Sequence, residues 1–480
     1  MINNVNYFVD DPADRDRYRD GVLPDTENPV FGGGGSTGGG GGGLGGGGND
    51  PADPNPTDPE QTLAEVQLSE NAPLVIAYGQ HVVAGNLVEY DYTAGPPPGV
   101  KFIMALGEGP WDSPVEVYYA GEQLTASTSS GTPGYKFHPG TLSTGTGDLI
   151  QGTPMYFATS PPYSGTAYIE VRLDETQSAE QRVDKLVGIY KCKKVANYNS
   201  SGTVTDSGSY STNPARVAAD VLNRAGKLAL IDWPSWVAWR DYCDTVIAYD
   251  TSWIKRFECH LTIFDTTNLA DVLSRICLVS CTFWQDTGDK IRFLLPIQGP
   301  YTPTYTFTVD NCRNVAVIAN DRSKLPTGFT ATFRDINDQY MTETTVEWVD
   351  ETLESEVGVN RQELQLPPMH RSQAERVCAF RLNLDGTYTT DVEWVAYGGA
   401  GAVLPGDVVK ITHPVLPFTE GIEANTCFVF VTNTEDLPED NGPSMRRIRG
   451  RRIAQDGFYD DENYTIPPVN IENPEPAPET

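Results

Sequence analysis

Ala402-Val403-Leu404-Pro405-Gly406-Asp407-Val408-Val409-Lys410-Ile411 decides how the last third of this chain is read. Pro405 presets φ, Gly406 admits a positive φ and Asp407 can bond the local backbone, so the step is a turn that launches an apolar strand. Upstream, Gln362-Glu363-Leu364-Gln365-Leu366-Pro367 alternates as a half-buried strand, and Pro367-Pro368 ends it. Arg371 to Leu382 reads as a helix with apolar residues on one face. A strand from Thr389 to Val395 leads into the turn. The strand after the turn is resumed by Cys427 to Val431 and then by Arg446 to Ile453.

Composition sets the outer bounds. A chain of 480 residues suggests two to four domains, each able to bury its own core. Thirty-four Lys+Arg against 65 Asp+Glu give a net charge of −31, so the average surface offers no clustered cations for nucleic acid. The plain reading is a soluble surface that resists aggregation. A sharper one is an acidic lumen through which DNA slides without sticking. No apolar run approaches the roughly 20 residues of a bilayer span, so no stable membrane insertion is expected. Met1-Ile2-Asn3-Asn4-Val5-Asn6 lacks the basic and apolar regions of a secretion signal. Aromatics make up 10% of the residues, 23 of them Tyr, which suits strands and interfaces.

The pattern divides the chain into five stretches. Residues 1–65 form a Gly/Pro-rich arm, with 14 glycines between Gly32 and Gly48 followed by Pro51, Pro54, Pro56 and Pro59. Such a segment buries too little surface to offset its ordering entropy and is read as disordered. Its reach, on the order of 30 Å, would also let it tether a neighbouring subunit. Residues 66–190 are β-rich, with a Ser/Thr/Gly-rich insertion near 125–155. Residues 191–305 hold most helices. Asn213-Pro214 caps the first, which carries Val217, Val221, Leu222 and Ala225 and stops at Gly226. A second spans Trp236 to Thr245, and a third is capped near Thr267 before a hairpin from Cys281 to Phe293. Residues 306–464 return to strands with one helix, and 465–480 form an acidic, Pro-rich tail. The fold class is α+β and β-rich, with two β regions flanking a helical middle.

Strand, helix, strand, Leu-Pro-Gly-Asp turn and closing strands, in that order, resemble the tail-tip and baseplate-hub proteins of tailed phages, the family of the tip attachment protein J. Leu404 to His413 is similar to that family's turn and strand, and Tyr459-Asp460-Asp461-Glu462-Asn463-Tyr464 to its closing segment. Leu74 to Asn86, containing Tyr78, Gly79, Gly85 and Asn86, resembles its opening. Val115 to Leu124 resembles a further strand and turn. Lys324 to Tyr340, with Phe333 and Asp335, resembles a hairpin. The resemblance covers roughly residues 70 to 465 and rests on the order of five weak motifs. It implies that the two β regions are tail-tube-like domains, so that three subunits could mate with a six-fold tube. No internal repeat is visible between them.

Chemistry is sparsely signalled. GxSxG, HExxH and GxxxxGK[ST] are absent, and no cofactor or metal is expected. The Gly run satisfies GxGxxG trivially, with no preceding strand. Eight cysteines form no CxxC pair and read as buried thiols, although Cys277 and Cys281, placed i, i+4 on one helix after Cys259-His260, invite comparison with a zinc set. Asp241/Asp244 and Glu258/Asp265 are carboxylate pairs of the kind glycosidases use, but 65 acidic residues produce such pairs by chance. His370 reads as a residue of the helix start rather than a base. Trp233, Trp236, Trp239, Tyr242 and Trp253 form the densest aromatic cluster, read as core, with an interface or sugar platform as the alternative. Arg446, Arg447, Arg449, Arg451 and Arg452 are read as a strand face paired with acidic neighbours, and otherwise as an interface or phosphate patch.

The expectation is therefore a non-enzymatic structural subunit at the distal end of a virion tail. It would form a homo-oligomer, with three-fold symmetry implied by the resemblance. Its partners would be distal tail, tape-measure and fibre or spike proteins, and it would open for DNA ejection. Many tip attachment proteins extend into a receptor-binding region that does not follow Tyr464 here, so host contact is expected to be indirect. The alternative is a β-rich carbohydrate-binding adhesin, and a weaker third is a lytic hub enzyme.

Overall fold

The computed structural model describes residues 74–454 apart from 94–98, 130–131, 142–154, 158–162, 175–184, 250–251, 264–267, 296–301, 320–323, 337–342, 388–389, 398–402 and 438–444. The Gly/Pro-rich arm, the Pro-rich tail and the Tyr459–Tyr464 segment lie outside the described residues, as do residues 130–131 and 142–154 of the insertion near 125–155.

The first β region is two facing sheets. This part of the chain contains β1 (Ile76–Tyr78), which lies outside both sheets, β2 (Gln80–Val83), β3 (Asn86–Thr93), β4 (Gly99–Glu108), β5 (Trp111–Tyr119), β6 (Glu122–Gln123), β7 (Gly134–His138), β8 (Thr166–Asp174), β9 (Leu186–Tyr198) and β10 (Val204–Tyr210). One sheet runs β3-β4-β8-β7, and the other runs β10-β9-β5-β6 with β2 also on β9. Alternating inward residues such as Val100, Phe102 and Met104 from one sheet and Trp111, Val117 and Tyr190 from the other fill the space between them. β9 continues to Tyr198, straight through the expected division at 190.

The helical middle comprises α1 (Pro214–Arg224), α2 (Trp233–Asp244), β11 (Val246–Tyr249), β12 (Ser252–Lys255), β13 (Leu261–Ile263), α3 (Leu269–Leu278), β14 (Phe283–Asp286) and β15 (Ile291–Leu294). Asn213 caps α1 by accepting from the Ala215 and Arg216 backbone N–H groups, with Pro214 in the first turn. α2 begins at Trp233, three residues earlier than expected, because Asp232 accepts from the Ser235 N–H and Pro234 fits the first turn. α3 is capped by Asn268 and ends at Leu278. Cys281 therefore lies beyond the helix, in a turn with φ 51°, and does not share a helix face with Cys277.

The last region contains β16 (Tyr305–Phe307), β17 (Cys312–Ala319), β18 (Gly328–Arg334), β19 (Glu343–Val349), α4 (Glu351–Val357), β20 (Arg361–Gln365), α5 (Arg371–Leu382), β21 (Thr390–Tyr397), β22 (Val408–Thr412), β23 (Thr419–Glu420), β24 (Glu423–Ala424), β25 (Thr426–Leu437) and β26 (Met445–Ile453). Six strands form a sheet in the order β16-β22-β25-β26-β21-β17, antiparallel except for β16 on β22. Phe307, Trp394, Val409, Ile411, Val429 and Ile448 make its core. A separate sheet, β19-β18-β20, joins the core of the helical middle through Phe329, Ala331 and Phe333.

α5 departs from the amphipathic helix read in the sequence. Ser372, Gln373, Glu375 and Arg376 are buried along with Val377, Cys378 and Phe380. The helix is packed on several sides, between β18 and β19 and the helical middle, so its polar residues are buried as well. α5 and the β18–β20 sheet share one core with α1–α3, and the division expected at 305 does not separate two cores. No helix among the described residues is long and apolar enough to cross a membrane.

Candidate functional site at the seams of the helical middle

Tyr78-Gly79-Gln80 is where the first β region meets the middle. β1 pairs with β13, setting Tyr78 opposite Leu261, while β2, one residue later, pairs with β9, setting Gln80 opposite Lys191. Gly79 makes the switch with φ +76°, and a Cβ there would lie 2.5 Å from the Cys259 carbonyl oxygen. The buried Tyr78 hydroxyl donates to Asp220 Oδ2 on α1 at 2.7 Å. Burial, with Asp220 beside it, pushes the phenol well above its ordinary pKa. Gly85, with φ +82°, is similarly tight: a Cβ would approach the Ala105 carbonyl oxygen to 2.8 Å as Asn86 begins β3 opposite Ala105. Close by, Arg224 at the end of α1 grips the Glu108 carboxylate with both Nη atoms, and Lys193 Nζ donates to it at 3.1 Å. The Arg224 hydrogen bonds lead in holding Glu108 down at about 2.

Behind Gly79 lies a buried polar node. The Gln80 N–H donates to His260 Nδ1 at 3.0 Å. Glu258 accepts from Thr212 Oγ1 at 2.7 Å, and its Oε2 stands 3.3 Å from His370 Nε2 and 4.0 Å from His260 Nε2. Gln373 on α5 accepts from the Glu258 N–H and donates to the Glu258 and Val279 carbonyls, so one side chain ties α5 to both segments. Burial alone would raise the Glu258 pKa, but the nearby imidazoles of His260 and His370 and the Thr212 hydroxyl outweigh it and hold the carboxyl well below its usual range. His81, buried 6.3 Å from the His260 ring, is driven down to about 3 by burial and by that neighbour. His370 thus stands at the start of α5 as expected, with its imidazole on Glu258. Asp265, the sequence partner proposed for Glu258, lies outside the described residues.

Leu404-Pro405-Gly406-Asp407 forms the second seam. Asp407 Oδ2 accepts from the Leu404 N–H at 2.8 Å, and the Asp407 N–H returns a bond to the Leu404 carbonyl at 3.1 Å. Val431 brackets the turn, accepting from the Gly406 N–H and donating to the Asp407 carbonyl. Gly406 has φ +89° and abuts Leu294 on β15, while Arg292 Nη1 stands 3.6 Å from Asp407 Oδ1. Val408 packs toward the core of the middle and Val409 into the core of the six-stranded sheet.

The remaining candidates fall into two kinds. Trp236 and Trp239 are fully buried. Trp236 donates to the Ala215 carbonyl at 2.7 Å; Trp239 donates to Ser280 Oγ and stacks on Phe293 at 4.5 Å. Trp233 is half-buried between Tyr198 and Trp236, and Trp253 is 73% exposed on the β11–β12 hairpin. The arginines of β26 meet carboxylates on their neighbours: Arg446 pairs with Asp436, Arg447 with Glu435 and Glu393, Arg449 and Arg451 with Asp391, and Arg452 with Glu420. All eight thiols are buried, and burial pushes those of Cys259, Cys378 and Cys427 up to about 12, far from nucleophilic form. No group of three or more His, Cys, Asp or Glu side chains among the described residues is placed to hold a metal ion. Sequence reasoning weighed Glu258 and His370 separately and missed the node. Residues 112 positions apart meet only through the packing of α5, and no local signal announces that.

No protein-family model matches the chain, and no curated protein matches it. Among solved structures, it is similar to a chain of the virion of a native gene transfer agent particle, with 14% identity and a TM-score of 0.60 over 84% of this chain and 90% of that one. It is more loosely similar to the tail protein from Neisseria meningitidis MC58, at 10% identity and TM-score 0.33 over 79% and 96% of the two chains. The 43 kDa tail protein of prophage MuSo2 from Shewanella oneidensis gives 12% identity and TM-score 0.32 over 80% and 99%. The first likeness establishes a shared fold over most of both chains, and no argument rests on the other two.

Proposed function

We propose that this chain is a structural subunit of a phage-type virion tail, placed in the tip or baseplate hub at the distal end. The observation that carries the reading is the fold shared with a virion chain over most of both lengths. The seams agree with it: the two motif glycines, Gly79 and Gly406, dock flanking sheets onto a common helical core, as a scaffold requires. In this role the subunit assembles as a trimer, contacts distal tail, tape-measure and fibre or spike proteins, and rearranges to release DNA. Its work is done by interfaces rather than by chemistry. The net charge of −31 suits passage of DNA without retention. Native mass and negative-stain class averages of the purified chain, alone and mixed with the tail proteins encoded beside it, test the proposal. A three-fold ring or cup supports it. A monomer that associates with none of those proteins overturns it.

A further inference from the structure

An open cleft of about 400 Å³ lies where the C-terminal end of α1 faces the start of α2, lined by Gly202, Asn223, Gly226, Leu228, Ala229 and Trp233. Its wall is built rather than incidental. Trp233 is held by Tyr198 at 4.9 Å and Trp236 at 5.4 Å. The turn bearing Gly202 is locked by Asn199 Oδ1, which accepts from the Ser201 and Thr203 N–H groups. Gly202, at φ +78°, passes so close to the indole that any Cβ would overlap Trp233 Nε1. Gly226, at φ +68°, has nothing within 4 Å of where its Cβ would be, which keeps the rim open.

The indoles of Trp111, Trp236, Trp239 and Trp284 each donate to a protein acceptor. The half-buried Trp233 Nε1–H has no acceptor among the described residues, and the Asn223 side-chain amide has no hydrogen bond among them. The cleft thus offers a donor at the indole edge, an amide that both donates and accepts, and two apolar surfaces, Trp233 and Leu228. None of its lining side chains is charged. A ligand there must present hydroxyl donors as well as acceptors, alongside a C–H face.

We propose that this cleft binds a neutral saccharide unit. Sugar hydroxyls accept from Trp233 Nε1–H and exchange bonds with Asn223, while the ring's C–H face lies on the indole and Leu228. A proline-rich peptide supplies acceptors but no backbone donors, and an anion meets no charged side chain in the lining, so neither fits as well. The Lys290 ammonium nearby donates to the Ala229 carbonyl at 3.0 Å. The proposal stands apart from the assembly reading and holds whether or not the chain is trimeric.

Saturation-transfer NMR and tryptophan fluorescence on the full chain test it, using maltotriose, cellotriose and chitotriose as neutral probes, 3′-sialyllactose as an anion and a proline-rich decapeptide. At least one neutral trisaccharide is expected to bind with a Kd on the order of 1 mM. Ala229→Arg, which fills the cleft from an exposed position, should abolish binding while thermal unfolding stays unchanged. Asn223→Ala should weaken binding about tenfold and serves as the second variant if Ala229→Arg misfolds. Absence of binding by all three neutral probes overturns the proposal. So does binding that survives Ala229→Arg, or preference for the anion or the peptide.

Discussion

Gly406 and Leu294 adjoin so closely that a Cβ on the glycine would overlap Leu294 Cδ1 and stand 3.0 Å from its Cγ. The contact fixes the Leu-Pro-Gly-Asp turn of the six-stranded sheet against β15 of the helical middle. Gly406→Ala meets both this overlap and a positive φ, and should cost about 3 kcal/mol in urea unfolding. Trimming the neighbour relieves part of that, so the double variant Gly406→Ala/Leu294→Ala should be less destabilised than the sum of the single ones. Strict additivity would show that the contact carries no strain.

His81 gives the chain an acid limb that begins early. Its pKa is about 3 in the fold against 6.5 in the unfolded chain, so below pH 6.5 the unfolded chain takes up a proton that the fold refuses. Stability present above pH 6.5 is lost as pH falls, by about 2 kcal/mol at pH 5. His81→Gln should flatten the profile between pH 6.5 and 5 in denaturant titrations.

Glu258 acts lower on the scale and in the same sense. Its pKa is depressed below the ordinary 4.5, so the stability it supplies is present above that value and lost as pH falls through the folded one. Glu258→Gln removes the charge that receives Thr212 and His370 and should cost about 2–3 kcal/mol at pH 7. The difference from the parent should shrink on moving to pH 3. A constant difference would mean that the carboxylate is not the group that matters.

Trp239→Ala should be among the most damaging single changes, at about 3–5 kcal/mol, because it opens a cavity beside Phe293 and removes the indole donor to Ser280 Oγ. Tm and urea midpoints read this directly.

Arg447→Gln should do little to stability, within about 1 kcal/mol, since its partner Glu435 is exposed and Glu393 partly so. If Arg447 serves an interface between subunits, native mass measurements will register its loss where unfolding does not.

Much of the fold was legible because its signals are local. Asn213-Pro214 and Gly226 bound α1 as capping chemistry requires, and the Asp286 to Ile291 hairpin follows its turn residues. α5 was legible as a helix but not in its surroundings. Gln373, Glu375 and Arg376 look like a solvated face until packing against β18 and β19 buries them. The node around Glu258 depends on that same packing and was hidden with it. Gly79 and Gly406 could be picked out by motif. What they touch, Cys259 and Leu294, lies far away in sequence and required the three-dimensional arrangement.

The one-residue switch at Gly79 leaves no spare chain between the first β region and the helical middle. β1 belongs to one body and β2 to the other, with a single residue between their last and first paired positions. A tilt of either body must therefore strip backbone pairs from β13 or from β9 before any slack is taken up. In mechanical terms the joint is a clamp rather than a hinge. Any movement within this chain must be accommodated away from this joint.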